Sequence, residues 1–175
     1  PEDILIRELN EKYPEAKILH ELSVREWIGS TNPSKIDPII VKERIEEAKD
    51  EVSFLEEEVL SRTVDEVGSK RVYKRLLERS VHVITEATLD VCRHITSARG
   101  WGPAASYTDL VELMAEHNVI TRELEDELKR FVTWRNIIVH RYLAVDHGRL
   151  YKDSKRLGNT VREFEKQVAS YLRRQ

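Results

Sequence analysis

One eight-residue stretch, RNIIVHRY from Arg135 to Tyr142, holds most of the side chains in this sequence that could do chemistry together. On a helix, at about 100° per residue, Asn136 and His140 lie one turn apart on one side. Arg135 and Tyr142 are seven residues apart and stack on a neighbouring stripe, and an arginine is long enough to reach over to the histidine. A guanidinium, an imidazole, an amide and a phenol are thus gathered at one helix end, while Ile137, Ile138 and Val139 hold the helix in the core between them. The set suits phosphodiester chemistry. An imidazole can take the proton from a ribose 2′-hydroxyl or give one to a leaving oxygen. An arginine can hold non-bridging oxygens as negative charge grows on them. Neither role requires a metal or a cofactor. One copy supplies one imidazole, and acid–base cleavage works better with two groups, so a two-fold homodimer is expected to bring a second set alongside. The plainer reading is that His140 finishes a helix and Arg135 pairs with acids of the same bundle.

Charge is distributed unevenly. From Lys129 to Gln175 twelve Lys and Arg meet four Asp and Glu, a surplus of +8; the whole chain is at −3, so the first 128 residues carry −11. A basic end that contains the polar cluster points to an anionic ligand, with nucleic acid the leading candidate. The competing reading is a solvated face that pairs with the acidic helices. Cys92 is the only cysteine, which excludes an internal disulfide and a cysteine-rich metal site and fits a reducing cytoplasm. No long uncharged apolar run is present, so neither a membrane span nor a signal peptide is expected.

The elements that would position the cluster are helices. With six Gly and five Pro in 175 residues, 40% of them hydrophobic, the chain favours one domain of long helices. Residues 1–37 differ, with Pro14, Pro33 and the turn-like GSTNPS; they read as an appendage of unknown role, with short helices at about 2–12 and 20–28. Asp37 followed by Pro38 is an N-cap with proline at the first helical position. Ile45, Ala48, Val52, Leu55 and Val59 mark a helix over about 38–60. TVDEVGSK makes a break. Leu77, Val81, Ile84, Thr88, Val91 and Ile95 line a second long helix over about 69–98. RGWGPAAS is a loop, and Ser106 with Asp109 forms a capping box that opens a short helix to about 116. HNVITREL is a turn, and Thr121 caps the helix that runs into the motif. Asp146 caps a final helix with Leu157, Val161, Phe164, Val168 and Tyr171 on its inner face. The expected architecture is all-α, an up-and-down bundle of four to five main helices over 38–175.

Other polar residues complete the picture. Glu86 and Asp90 lie one turn apart on an otherwise apolar helix and need a partner, for which Arg135 is the candidate. His82 and His94 extend that stripe, but the paired Glu-x-x-His pattern of carboxylate-bridged metal bundles is missing. His20, His117 and His147 read as surface or turn residues and Cys92 as core. Trp101 packs under its loop or stacks on a base.

RNIIVHRY also resembles the R-x4-H-x-Y signature of the HEPN superfamily, specifically its HepT-like toxins. ITEATLDVCRHI at 84–95 is similar to the family's Glu-Ala-x-x-Asp helix, and SYTDLVELMAEHNVITRELEDELKRFVTWRNIIVHRY follows its usual run into the motif. The likeness covers about 38–175. It implies a helical homodimeric toxin that cleaves RNA without metal, with Arg135 and His140 catalytic and Asn136 beside them. It further implies a MntA-like nucleotidyltransferase antitoxin that adds AMP to Tyr142, the new phosphate lying near Arg135 and Arg141. Glu86 and Asp90 would support the site. Two other classes remain open: a non-catalytic nucleotide- or RNA-binding partner of a nucleotidyltransferase, and an interaction protein toxic by sequestration.

Overall fold

The computed structural model describes residues 35–140 and 145–175. The two short helices expected before residue 30, His20, Arg141 and Tyr142 lie outside these residues. The described chain is helical throughout: α1 Pro38–Leu55, α2 Val64–Ser69, α3 Arg71–Arg99, α4 Tyr107–Glu116, α5 Arg122–His140, α6 His147–Ser154 and α7 Leu157–Arg173. The all-α bundle is as expected, with five helices of ten residues or more and two shorter ones. No described helix is long and apolar enough to cross a membrane.

Local chemistry sets the boundaries. The Asp37 side chain accepts from the Ile39 amide at 2.9 Å, and Pro38 occupies a position whose N–H the helix does not need. His94 on α3 accepts from the Asp37 N–H at 2.8 Å, so the start of α1 is tied to the middle of the bundle. α1 ends in a π-helical turn, Glu56–Leu60, which the periodicity of the sequence does not reveal. The break expected at TVDEVGSK contains a six-residue helix instead. Thr63 and Glu66 exchange hydrogen bonds across its first turn, a capping box that makes so short a helix viable. α3 ends at Gly100, whose φ of 63° lets the chain turn back on itself and place the Trp101 N–H on the Thr96 carbonyl. The capping box at Ser106 and Asp109 is present as read. Thr121 accepts from the Leu124 N–H at 3.3 Å, capping α5.

The single final helix expected after Asp146 is two helices. Asp146 caps α6, whose Tyr151 hydroxyl donates to the Arg62 carbonyl at 2.6 Å; the chain then breaks at Lys155–Arg156 and restarts as α7. Gly158 allows α7 to lie close on α1, since a Cβ there would stand 2.5 Å from Glu56 Oε1 and 3.1 Å from Val52 Cγ1.

α3, 29 residues and roughly 40 Å long, is the central element and packs chiefly on α1, α4 and α5. Its inner stripe divides the core in two. Leu77, Val81 and Ile84 meet Phe131, Trp134, Leu150 and Leu157 in one cluster. Leu89, Cys92 and Ile95 meet Val111, Met114, Leu128 and Phe164 in the other. Cys92 has no exposed surface, and burial pushes its thiol up to about 12, so it is an inert core residue.

Candidate active site

The motif helix α5 crosses the waist of α3 where the two core clusters meet. Phe131, Val132 and Trp134 face inward and fix its rotation, with the Trp134 indole N–H donating to Asp153 at 2.8 Å. That rotation puts Arg135 at the edge of the core, its side chain 12% exposed. Three groups hold it. Its Nε donates to Glu86 Oε1 at 2.5 Å, its Nη1 to Asn136 Oδ1 at 3.3 Å and its Nη2 to the Tyr107 hydroxyl at 3.4 Å. The guanidinium carbon also sits 4.6 Å from the centre of the Tyr107 ring, a cation–π contact. The expected pairing of Arg135 with Glu86 is therefore present.

Asp90 departs from expectation. It does not reach Arg135; its carboxylate is hydrogen-bonded to Arg93 and lies 3.9 Å from Arg44. One helical turn separates Glu86 from Asp90, and that rise carries Asp90 past the end of the Arg135 side chain. His82 Nε2 stands 3.6 Å from Glu86 Oε1, on the side of the carboxylate away from Asp90 in sequence. His94 is occupied by the Asp37 amide, and burial lowers its pKa, which suits an imidazole that accepts a hydrogen bond. His147, read as a surface or turn residue, is half-buried at the start of α6 and reaches the buried Glu78 at 2.6 Å. Trp101 stacks one face on His117 with ring centroids 3.9 Å apart and packs edge-on to Tyr171, as expected of a residue packed under its loop.

Arg135, Asn136 and His140 line one open cleft of about 840 Å³ between α3, the start of α4 and the end of α5. His140 is the last residue of α5 and is exposed. Around the three, the wall consists of hydroxyl-bearing, small and apolar side chains together with Tyr107 and Arg93. Among the described residues no Asp or Glu lines it. The cleft is thus a polar, cation-bearing groove whose wall holds a fixed guanidinium and an exposed imidazole. Tyr107 and Arg93 escaped the reading of the sequence. The capping box marks where α4 begins, but only the packing of α4 on α3 brings Tyr107 beneath Arg135.

The profile of the family described as Ribonuclease HepT-like matches residues 42–168, most of the chain. The chain belongs to the HepT-like family. Among HepT-like and related proteins, YutE of Bacillus subtilis is 30% identical over 96 residues, which span 55% of this chain and 67% of YutE. The mRNA nuclease HepT of Shewanella oneidensis is 42% identical over 57 residues, 33% of this chain and 43% of that protein. The solved structure of YutE aligns with a TM-score of 0.68 at 22% identity, covering 78% of this chain and 91% of that one. A toxin–antitoxin complex solved with AMP-PNP contains a chain that aligns with a TM-score of 0.62 at 22% identity, over 74% of this chain and 95% of that one. The structural likenesses show that the HepT-like helical fold is shared.

Proposed function

We propose that this HepT-like chain is the toxin of a toxin–antitoxin pair, a metal-independent endoribonuclease that uses Arg135 and His140 and works as a homodimer. The observation that carries the reading is the pairing, in one cleft lined by no described carboxylate, of a held guanidinium with an exposed imidazole. The family's description and the nuclease named in Shewanella oneidensis support the same activity.

In the proposed reaction the ribose 2′-oxygen attacks phosphorus, forming the P–O2′ bond as the P–O5′ bond breaks. Arg135 neutralises the non-bridging oxygens as charge builds on them, and Asn136 steadies Arg135. His140 takes the 2′-hydroxyl proton. His140 of the partner subunit protonates the departing 5′-oxygen, so the products are a 2′,3′-cyclic phosphate and a free 5′-hydroxyl. Apolar surface around the motif favours a second copy on this face: Val139 is exposed, with Ile137 and Ile138 half-buried beside it.

Silencing is proposed to occur by AMP transfer from a MntA-like nucleotidyltransferase to the hydroxyl of Tyr142, two residues beyond His140 in sequence. The added phosphate would compete with RNA for Arg135, with Arg141 as a further contact. Arg135→Ala and His140→Ala, assayed on RNA in EDTA, test the nuclease directly. Each variant is expected to lose on the order of 10²-fold or more of the parent's cleavage. Parent activity abolished by EDTA, or retained by His140→Ala, would reject the mechanism. Tyr142→Phe should stay toxic and escape the antitoxin, with no adenylate found on the protein by intact mass.

A further inference from the structure

We infer that the cleft carries a second phosphate subsite, built from Arg93 on its Asp90 anchor beside Tyr107, which binds the RNA phosphate next to the one held at Arg135. The inference rests on the nuclease reading above and deepens it by saying how the strand is gripped on either side of the cut.

The argument begins with the two carboxylates of α3. Glu86 anchors Arg135 and Asp90 anchors Arg93, so residues one helical turn apart aim two arginines at the same cleft. Both guanidiniums meet the ring of Tyr107, Arg135 at 4.6 Å from its centre and Arg93 at 5.8 Å. Both cations therefore lie close to one aromatic ring, as two groups that grip neighbouring phosphates of one strand must. The two arginines are engaged to different degrees. Arg135 spends three donors on Glu86, Asn136 and Tyr107. Arg93 donates to Asp90 through Nη1, and its side chain is 48% exposed. A guanidinium has five N–H donors, so Arg93 has the larger share left for a ligand.

The other features of the wall fit an anionic ligand beside Arg93. No described carboxylate lines the cleft to repel a phosphate. At the start of α4, which borders it, the Ala105 and Ser106 N–H groups donate to Asp109 Oδ2 and the Asp109 N–H to Ser106 Oγ, so these three amides are already engaged.

The test compares ligands that differ by one phosphate. The full chain, with its catalytic residues intact, is titrated in EDTA with 2′-O-methyl UpU, pUpU and UpUp, which lack the attacking hydroxyl. For the parent, one of the two terminally phosphorylated ligands is expected to bind roughly tenfold more tightly than UpU. In Arg93→Ala that gain should shrink to twofold or less, and in Arg93→Lys, which keeps the charge but loses the planar fork, part of it should return. Thermal melts equal to the parent's confirm that the variants are folded. No gain in the parent for either ligand, or a full gain in Arg93→Ala, overturns the subsite. Cleavage of unmodified RNA is followed separately. A protein that gains affinity through Arg93 but cuts no RNA keeps the subsite and loses the nuclease reading; one that cuts RNA without an Arg93-dependent gain does the reverse.

Discussion

The two ends of α5 carry the same kinds of residue to opposite effect. Near its N-terminus, Glu125 is 4% exposed and receives hydrogen bonds from Arg122 at 2.6 Å and from Lys129 at 2.7 Å, while Lys129 also reaches Glu112. Burial would push the Glu125 carboxyl up, but the contacts from Lys129 and Arg122 outweigh it and hold its pKa below the usual range. Each of these four charges is answered by another within the bundle. Near the C-terminus, Arg135 is answered by Glu86 on its inner side and opens onto a cleft on its outer side, with His140 exposed beyond it. The difference teaches that a surplus of basic residues says little by itself. What matters is which cations are spent inside the bundle, and along one helix that changes within three turns.

The largest expected effect separates the two ends outright. Arg135→Ala should cost RNA cleavage on the order of 10²-fold or more, well beyond what loss of the Glu86 pairing costs in melting, if its outer side serves the ligand as proposed. Glu125→Ala should do the opposite. Removing an acceptor from Arg122 and Lys129 should cost about 1–2 kcal/mol of stability and leave kcat near the parent's. Denaturant melts alongside steady-state kinetics check both, and a reversed pattern would mean the charges have been assigned to the wrong ends.

A smaller effect sharpens the comparison within the cleft. Glu86→Gln keeps an acceptor for Arg135 but removes its counter-charge. As a positioning change it should lower kcat about tenfold and leave KM within about twofold. A variant that instead raises KM alone would place Glu86 in substrate binding.

The smallest effect concerns His94, which ties α1 to α3. Burial lowers its folded pKa, so below about pH 6.5 the unfolded chain binds a proton that the folded chain resists. Its contribution is complete above that pH and declines as pH falls through the lowered folded value. His94→Gln, which keeps an acceptor for the Asp37 N–H, should flatten that part of the melting-temperature profile. An unchanged profile would assign the acid sensitivity to other groups.

What could be read in the sequence was local or periodic. Asp37–Pro38, the Ser106–Asp109 box and Thr121 announced helix starts because a cap needs only three or four consecutive residues. The apolar stripe from Leu77 to Ile95 announced α3 because one face of it is buried. Arg135, Asn136 and His140 could be read together because they share one helix end, and the structure brings all three to one cleft. The short helix α2 was hidden because six residues hold too few apolar positions for a period. The split of α6 from α7 was hidden because Lys155 and Arg156 are not helix breakers by type. Partners from other helices were harder still. Glu86 and Asp90 look equivalent in sequence, yet one turn of rise gives them different arginines. Nothing local puts Tyr107 beneath Arg135 or His147 on Glu78, since both meetings depend on how separate helices pack.

The most direct test of the central claim is the chemistry of the cut ends. RNA digested by the purified chain in EDTA should carry 2′,3′-cyclic phosphates opposite 5′-hydroxyls, identified by mass spectrometry of the fragments. The same substrate with a 2′-O-methyl group at the cut position should remain whole. Fragments ending in a 3′-hydroxyl and a 5′-phosphate, or cleavage of the methylated substrate at that position, would show that water rather than the 2′-oxygen attacks phosphorus, and would contradict the mechanism assigned to Arg135 and His140.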